Sequence, residues 1–191
     1  MSIITLETSQ YAYYCQNLQS SIILEDFKQK KEFMENLNSE KINFKIKSYK
    51  NMGWRLEEKY KKFFGNKSIT KKNVKKVIQE SKLVVCTYPE TTFLESMISG
   101  VPTILLYMDD IWKFDDSFQD LINNLRKNDI IFSCPQKASQ HVKKIIDDPK
   151  KWWDNSNTIK ARNYFLSECG SVSKNWVKEW KDFILKNNDK T

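Results

Sequence analysis

Glycine and proline are scarce, with four of each in 191 residues. Collagen-like and Pro/Gly-rich low-complexity chains are excluded, and few positions remain where the backbone can turn sharply or a helix must stop. Histidine is scarcer still, with His141 alone. Cys15, Cys86, Cys134 and Cys169 are scattered, with no CxxC spacing. That pattern argues against a metal site or a disulfide framework; the cysteines read as reduced thiols, two of them inside apolar segments. No apolar run approaches the ~20 residues that a bilayer-spanning helix needs. Residues 1–7 have neither the basic start nor the long apolar stretch of a secretory signal, so a cytoplasmic protein is expected. No internal repeat and no low-complexity linker interrupts the chain.

What is present is apolar surface and positive charge. The composition is 40% hydrophobic and 13% aromatic, with six Trp and eleven Phe. A chain of this length then suits one globular domain over residues 1–191. The net charge of +8 is unevenly placed: residues 28–82 hold 17 Lys and Arg against 6 Asp and Glu, whereas residues 83–191 balance at 15 against 15. A basic stretch of this kind favours phosphorylated ligands, an acidic membrane face or nucleic acid; the plainer alternative is a solvated lysine-rich surface.

Periodicity supplies a coarse map. Residues 3–6 suit a short strand. Residues 25–37 place Phe27, Phe33, Met34 and Leu37 at helical spacing. Residues 42–46 alternate apolar and polar, as a half-buried strand does. Helices are expected around 55–64 and 73–79. The run Leu83-Val84-Val85-Cys86 is continuously apolar, as is Thr103-Ile104-Leu105-Leu106-Tyr107, and both read as strands buried on two faces. A helix over 91–99 lies between them, stopped by Gly100 and Pro102. Further helices are expected at 115–127, 135–147, 157–166 and 173–185, with a short strand at 130–132. Alternating strands and helices imply an α/β layer fold with a mainly parallel sheet, in which ligands sit beyond the C-terminal strand ends.

The strand at 83–86 runs straight into Thr87-Tyr88-Pro89-Glu90-Thr91-Thr92, so that turn is the expected ligand site. Thr92 and Glu95 have capping-box spacing. A helix start offers free N–H groups and the positive end of the helix dipole to an anion. The Thr91 and Thr92 hydroxyls can add hydrogen bonds to phosphate oxygens, and Glu95 can accept from ribose hydroxyls. A plain capped helix explains the same spacing.

The segment from Thr87 to Tyr107, TYPETTFLESMISGVPTILLY, resembles the donor-binding half of GT-B glycosyltransferases. More closely, the chain resembles the LIC12162 family of transferases, associated with bacterial surface-polysaccharide synthesis. The motifs are TTFLE (91–95), SGVPTI (99–104), KWW (151–153), SKNWVKEW (173–180) and FKIKSYKNMGW (44–54), which together cover most of residues 42–185. The resemblance implies a Rossmann-like three-layer α/β/α domain with its C-terminal helices, about 157–187, packed on it, binding a nucleotide-sugar donor. By that match Thr91, Thr92 and Lys47 meet the donor phosphates, joined by Lys50 or Arg55, while Glu95, Tyr88 and Glu90 lie at the ribose and nucleotide. Lys47 stands where many relatives have Arg, and so lacks the bidentate fork. Thr87 stands where many retaining enzymes carry a second Glu. No general base is visible, and an acceptor-binding half is expected from another segment or chain. No cofactor and no metal is implied.

Other candidates have plainer readings. His141 is expected at the surface. Asp109-Asp110 follow a strand and could meet a sugar or Mg²⁺, but a loop with Trp112 packed inward is favoured. Trp176, Trp180 and Phe183 share one helix face, as a membrane-interface stripe does, though docking onto the core is the expected arrangement. Peripheral contact with an anionic inner-membrane face remains a partner reading. A non-catalytic anion-binding or assembly module built on residues 28–82 is the alternative function. Nucleic acid is disfavoured, because the aromatic-rich basic sheet of single-strand binders is missing.

Overall fold

The computed structural model describes residues 1–7, 20–49, 52–170 and 173–188. Five strands form one all-parallel sheet: β1 (Ser2–Thr5), β2 (Lys45–Ser48), β3 (Val84–Cys86), β4 (Thr103–Leu106) and β5 (Ile131–Phe132), in the order β2-β1-β3-β4-β5. The helices are α1 (Ser20–Ser39), α2 (Leu56–Phe64), α3 (Val74–Gln79), α4 (Thr91–Ile98), α5 (Gln119–Lys127), α6 (Pro135–Ile145), α7 (Pro149–Trp153), α8 (Ser156–Cys169) and α9 (Trp176–Asn188). The expected α/β class and Rossmann-like three-layer arrangement are what the chain adopts.

Strand residues alternate between two cores because successive side chains point to opposite faces. Ile3, Ile46, Val85, Ile104 and Leu106 pack with Phe33, Met34 and Leu37 of α1, Tyr60 of α2, and Ala138 and Val142 of α6. Ile4, Val84, Cys86 and Leu105 pack on the other face with Val77 of α3, Phe93 and Met97 of α4, Leu125 of α5, Trp153 of α7 and Phe165 of α8. The continuously apolar β3 and β4 are the strands that need both faces covered, and both are fully buried.

Several expectations shift. The second strand begins at Lys45, not Ile42, and Ile42 and Phe44 pack as half-buried residues before it. The helix expected from 115 opens as a short 3-10 turn, Asp116–Phe118, with the Asp115 carboxylate accepting from the Ser117 N–H at 3.0 Å. The KWW segment forms its own helix, α7, capped by Asp148. Trp153 is buried and its Nε1–H donates to the Gly100 carbonyl at 3.0 Å, tying α7 to the turn before β4.

Of the C-terminal helices, α8 packs through Ala161 and Phe165, but among the described residues nothing covers α9. Every described side chain from Lys174 to Asn187 is exposed, including Trp176 (61%), Trp180 (60%) and Phe183 (62%). The spacing correctly gives an apolar face, but spacing cannot tell which surface covers that face.

Candidate functional site

In the order β2-β1-β3, the chain turns to opposite sides of β1, which makes the C-terminal edge beside β1 and β3 the topological switch point. Glu7 sits there, two residues past β1, and is 3% exposed. Its Oε1 accepts from the backbone N–H groups of Met52 (3.0 Å), Trp54 (2.8 Å) and Arg55 (3.1 Å). Its Oε2 accepts from the Leu56 N–H at 3.2 Å. The start of α2 is thus an anion nest already filled by a carboxylate from the chain itself, which satisfies N–H groups that a helix start leaves unpaired. Arg55 precedes the helix in the left-handed region at φ 54°, a conformation stabilised by this converging set of bonds.

Beside the nest lies a cleft of about 630 Å³, lined by Glu7, Lys47, Ser48, Tyr49, Arg55, Lys61, Lys71 and Asn73, among others. Glu57 takes Lys61 and Lys71 as ion-pair partners at 2.7 and 2.5 Å, and these two lysines hold its carboxyl below the usual range. Lys47 and Arg55 make no ion pair among the described residues. The Ser48 hydroxyl is buried and has no hydrogen-bond partner among the described residues; the same holds for Thr5, its register partner across β1 and β2. The cleft lining thus holds four cations, Lys47, Arg55, Lys61 and Lys71, against three carboxylates, Glu7, Glu57 and Glu58, and is net positive.

Under the same edge, α1 contributes a second polar cluster. Its buried stripe runs Ile23, Asp26, Lys30, Phe33, Met34 and Leu37, so Asp26 and Lys30 occupy core positions. The Lys30 ammonium is paired with the Asp26 carboxylate, and both are nearly sealed from solvent. They line a small void of about 10 Å³ with Leu6, Trp54, Leu56, Tyr88 and Trp112. Tyr60 is fully buried, and burial, followed by the nearby Asp26 and Glu7 charges, pushes its phenol far up, so it stays neutral.

The residues expected at the ligand divide between two places. Lys47 lines the cleft. Thr91 and Thr92 begin α4 on the opposite side of β1, and the cleft lining does not include Glu90, Thr91, Thr92 or Glu95. Thr92 and Glu95 do not form a capping box: the N-cap is Glu90, two residues before Thr92, which already lies inside the first turn. The Tyr88 hydroxyl donates to Thr92 Oγ1 at 2.8 Å, leaving the threonine's own O–H for another acceptor. Burial pushes the Tyr88 phenol up to about 12 despite that bond. Glu90, Thr91 and Glu95 are exposed, while Tyr88 is buried. Tyr49 lines the cleft and Tyr88 does not. Lys50 lies outside the described residues.

The profile of the LIC12162 family transferases matches residues 2–184. The chain belongs to the LIC12162 transferase family. No curated protein and no solved structure matches it. For this transferase, the C-terminal sheet edge holds the polar groups that the sequence motifs single out and others that they do not. Glu7 and the Asp26–Lys30 pair lie outside the sequence motifs, and Ser48 lies within FKIKSYKNMGW. Glu7 carried a usable signal, a lone acid directly after an apolar strand, and Asp26 and Lys30 carried another, charges falling in register with an apolar helix stripe.

The remaining candidates resolve as structural. Asp109 is held by Arg126, whose Nη1 lies 3.2 Å from Oδ2, and Arg126 also donates to the Tyr107 hydroxyl at 3.0 Å. Asp110 is exposed, and Trp112 is half-buried against the core as expected. His141 is not a surface residue. Its ring packs against Phe132 at 5.5 Å and edge-on to Trp152 at 4.9 Å, and burial lowers its pKa below the ordinary value. Among the described residues no group of three or more His, Cys, Asp or Glu is arranged to hold a metal ion.

Proposed function

We propose that this transferase binds a nucleotide-sugar donor at the C-terminal edge of its sheet and serves as the donor-binding half of a glycosyltransferase for bacterial surface polysaccharide. The observation that carries the reading is the cleft beside β2. Its volume of about 630 Å³ falls within the ~300–1,000 Å³ typical of small-ligand sites. Lys47 and Arg55 make no ion pair among the described residues, and the cleft they line is net positive, with four cations against the carboxylates of Glu7, Glu57 and Glu58. A diphosphate pairs with both Lys47 and Arg55. Glu7 fills the α2 nest, whereas α4 begins after β3 with no side-chain cap, which leaves the Thr91 and Thr92 N–H groups and the Thr92 O–H for a ligand.

In this arrangement the diphosphate bridges from Lys47 and Arg55 toward Thr91 and Thr92, passing Tyr49. Glu95, one turn into α4, accepts from the ribose hydroxyls, with Glu90 beside it. Tyr88 acts from beneath by holding Thr92. Positive charge at the phosphates stabilises the diphosphate as it leaves, the usual largest contribution to such catalysis.

A thermal-shift screen of UDP-, GDP-, CDP- and dTDP-sugars tests the reading, since a ligand that binds only the native state raises its melting temperature. One nucleotide series should stabilise the chain, and Thr91→Ala with Thr92→Ala should abolish that shift; the variant's own unliganded melting, lowered by a few degrees because the buried Tyr88 hydroxyl loses its acceptor, is the baseline for the comparison. Stabilisation by polyphosphate alone, with no nucleotide preference, favours an anion-binding or assembly module instead.

A further inference from the structure

Helix α9 is the one long described element whose apolar face the fold leaves uncovered. At 3.6 residues per turn, Trp176, Val177, Trp180, Phe183 and Ile184 fall within an arc of about 120°. All five are about half to two-thirds exposed, and Trp180 and Phe183 pack edge-to-face at 6.1 Å on that surface. Leu185 lies outside the arc. The remaining circumference carries Lys178, Lys181 and Lys186 with Glu179 and Asp182, and Lys174 precedes the helix. Four lysines against two acids make the segment cationic, within a chain whose net charge is +8.

We propose that α9 lies flat in the surface of an anionic lipid bilayer, with its Trp176–Trp180–Phe183 face among the acyl chains and its lysines at the headgroups. Three observations favour lipid over a second copy of the chain. Indole rings, apolar along their body with one polar N–H, suit the boundary between headgroup and hydrocarbon. The lysines outnumber the acids on the rest of the helix, a net positive charge that suits lipid phosphates and opposes a second copy of the same cationic segment. Size also decides: 13 residues make a helix ~20 Å long and ~10 Å wide, a face on the order of 200 Å², against the ~800 Å² per partner of a standard stable interface. A bilayer needs no such area, because binding scales with the apolar side chains inserted. No helix among the described residues is long and apolar enough to cross a membrane, so this contact is on the surface and not through it. The anchoring is separate from donor binding, since none of these residues lines the cleft.

The test is sedimentation of the full chain with vesicles of phosphatidylcholine, with and without phosphatidylglycerol, alongside tryptophan emission. The full chain should sediment with the phosphatidylglycerol vesicles and shift its emission to the blue. The exposed pair Trp180→Glu with Phe183→Glu should lower vesicle affinity about tenfold or more, with unchanged circular dichroism and melting. Lys178→Glu with Lys181→Glu should remove the preference for phosphatidylglycerol. The proposal is overturned if the full chain does not sediment with either vesicle. It is equally overturned if the Trp180/Phe183 variant sediments as well as the parent, which would assign binding to residues 28–82. Concentration-dependent dimers abolished by the same variant, without vesicle binding, would assign the face to a second copy.

Discussion

Glu7→Ala removes a carboxylate that accepts four backbone hydrogen bonds at 2.8 to 3.2 Å while 3% exposed. Losing a helix-start acceptor costs ~1–2 kcal/mol by itself. The carboxylate also contributes ~0.3–2 kcal/mol against the positive helix end. Buried N–H groups left without a partner add ~1–3 kcal/mol, offset here because the adjoining cleft admits water to some of them. Together these give roughly 3–4 kcal/mol, which for a chain of this size lowers Tm by ~6–15 °C. Glu7→Gln separates charge from geometry. Its Oε1 can keep the bonds from Met52, Trp54 and Arg55, while its Nε2 faces the Leu56 N–H donor to donor. It should cost ~1–2 kcal/mol, about half of the alanine change. Urea unfolding followed by circular dichroism measures both, and an unchanged m-value shows that the native and unfolded states keep their compactness. A loss below ~1 kcal/mol for Glu7→Ala, or equal losses for the two variants, would refute the claim that this carboxylate organises the start of α2.

The Asp26–Lys30 pair should respond asymmetrically: Asp26→Asn strands a buried ammonium and is expected to cost ~3–5 kcal/mol in urea unfolding, while Asp26→Leu combined with Lys30→Met should recover most of that loss. A single change as mild as the double change would contradict the burial of the pair. His141 sets a pH dependence. Burial lowers its folded-state pKa, so the folded protein prefers the neutral ring and the unfolded chain takes up the proton first. Above the unfolded value of about 6.5 this residue contributes no pH slope; as pH falls from there toward the depressed folded value, stability drops. Urea midpoints between pH 8 and pH 5 should show that drop, and His141→Phe should remove it; an identical slope in the variant would assign the pH dependence to other groups.

How far the sequence reveals the fold depends on where each element's partners lie. The strands at 83–86 and 103–107 are readable because each is wrapped on both faces and so must be apolar throughout. At the edge the signal weakens: in β2 only Ile46 is fully buried, so the alternation of Ile42, Phe44 and Ile46 marks the region without fixing the strand's start. The helix at 91–98 is legible from its first residue to the stop at Gly100 and Pro102, but its cap is not: the N-cap is Glu90, two positions before Thr92, and the capping box disappears. Glu7 illustrates a stricter limit. Its partners are backbone N–H groups at 52–56, more than forty residues away, and no side-chain pattern reports which N–H groups converge. His141 reads as a surface residue beside Gln140, Lys143 and Lys144, yet helix geometry sets it at the core boundary, where Trp152 from the next helix covers it. For α9 the apolar face is plain in the sequence, and only the structure shows that the described residues leave it bare.

The donor-binding claim is tested most directly by titration calorimetry of the parent chain, the Thr91→Ala/Thr92→Ala variant and Lys47→Ala against the nucleotide-sugar that stabilises the chain best. The account predicts measurable binding by the parent, at least a tenfold weaker affinity for Lys47→Ala, equivalent to about 1.4 kcal/mol, and no detectable binding by the threonine double variant. Unchanged affinity in both variants, with the parent binding normally, would contradict the placement of the donor at this sheet edge.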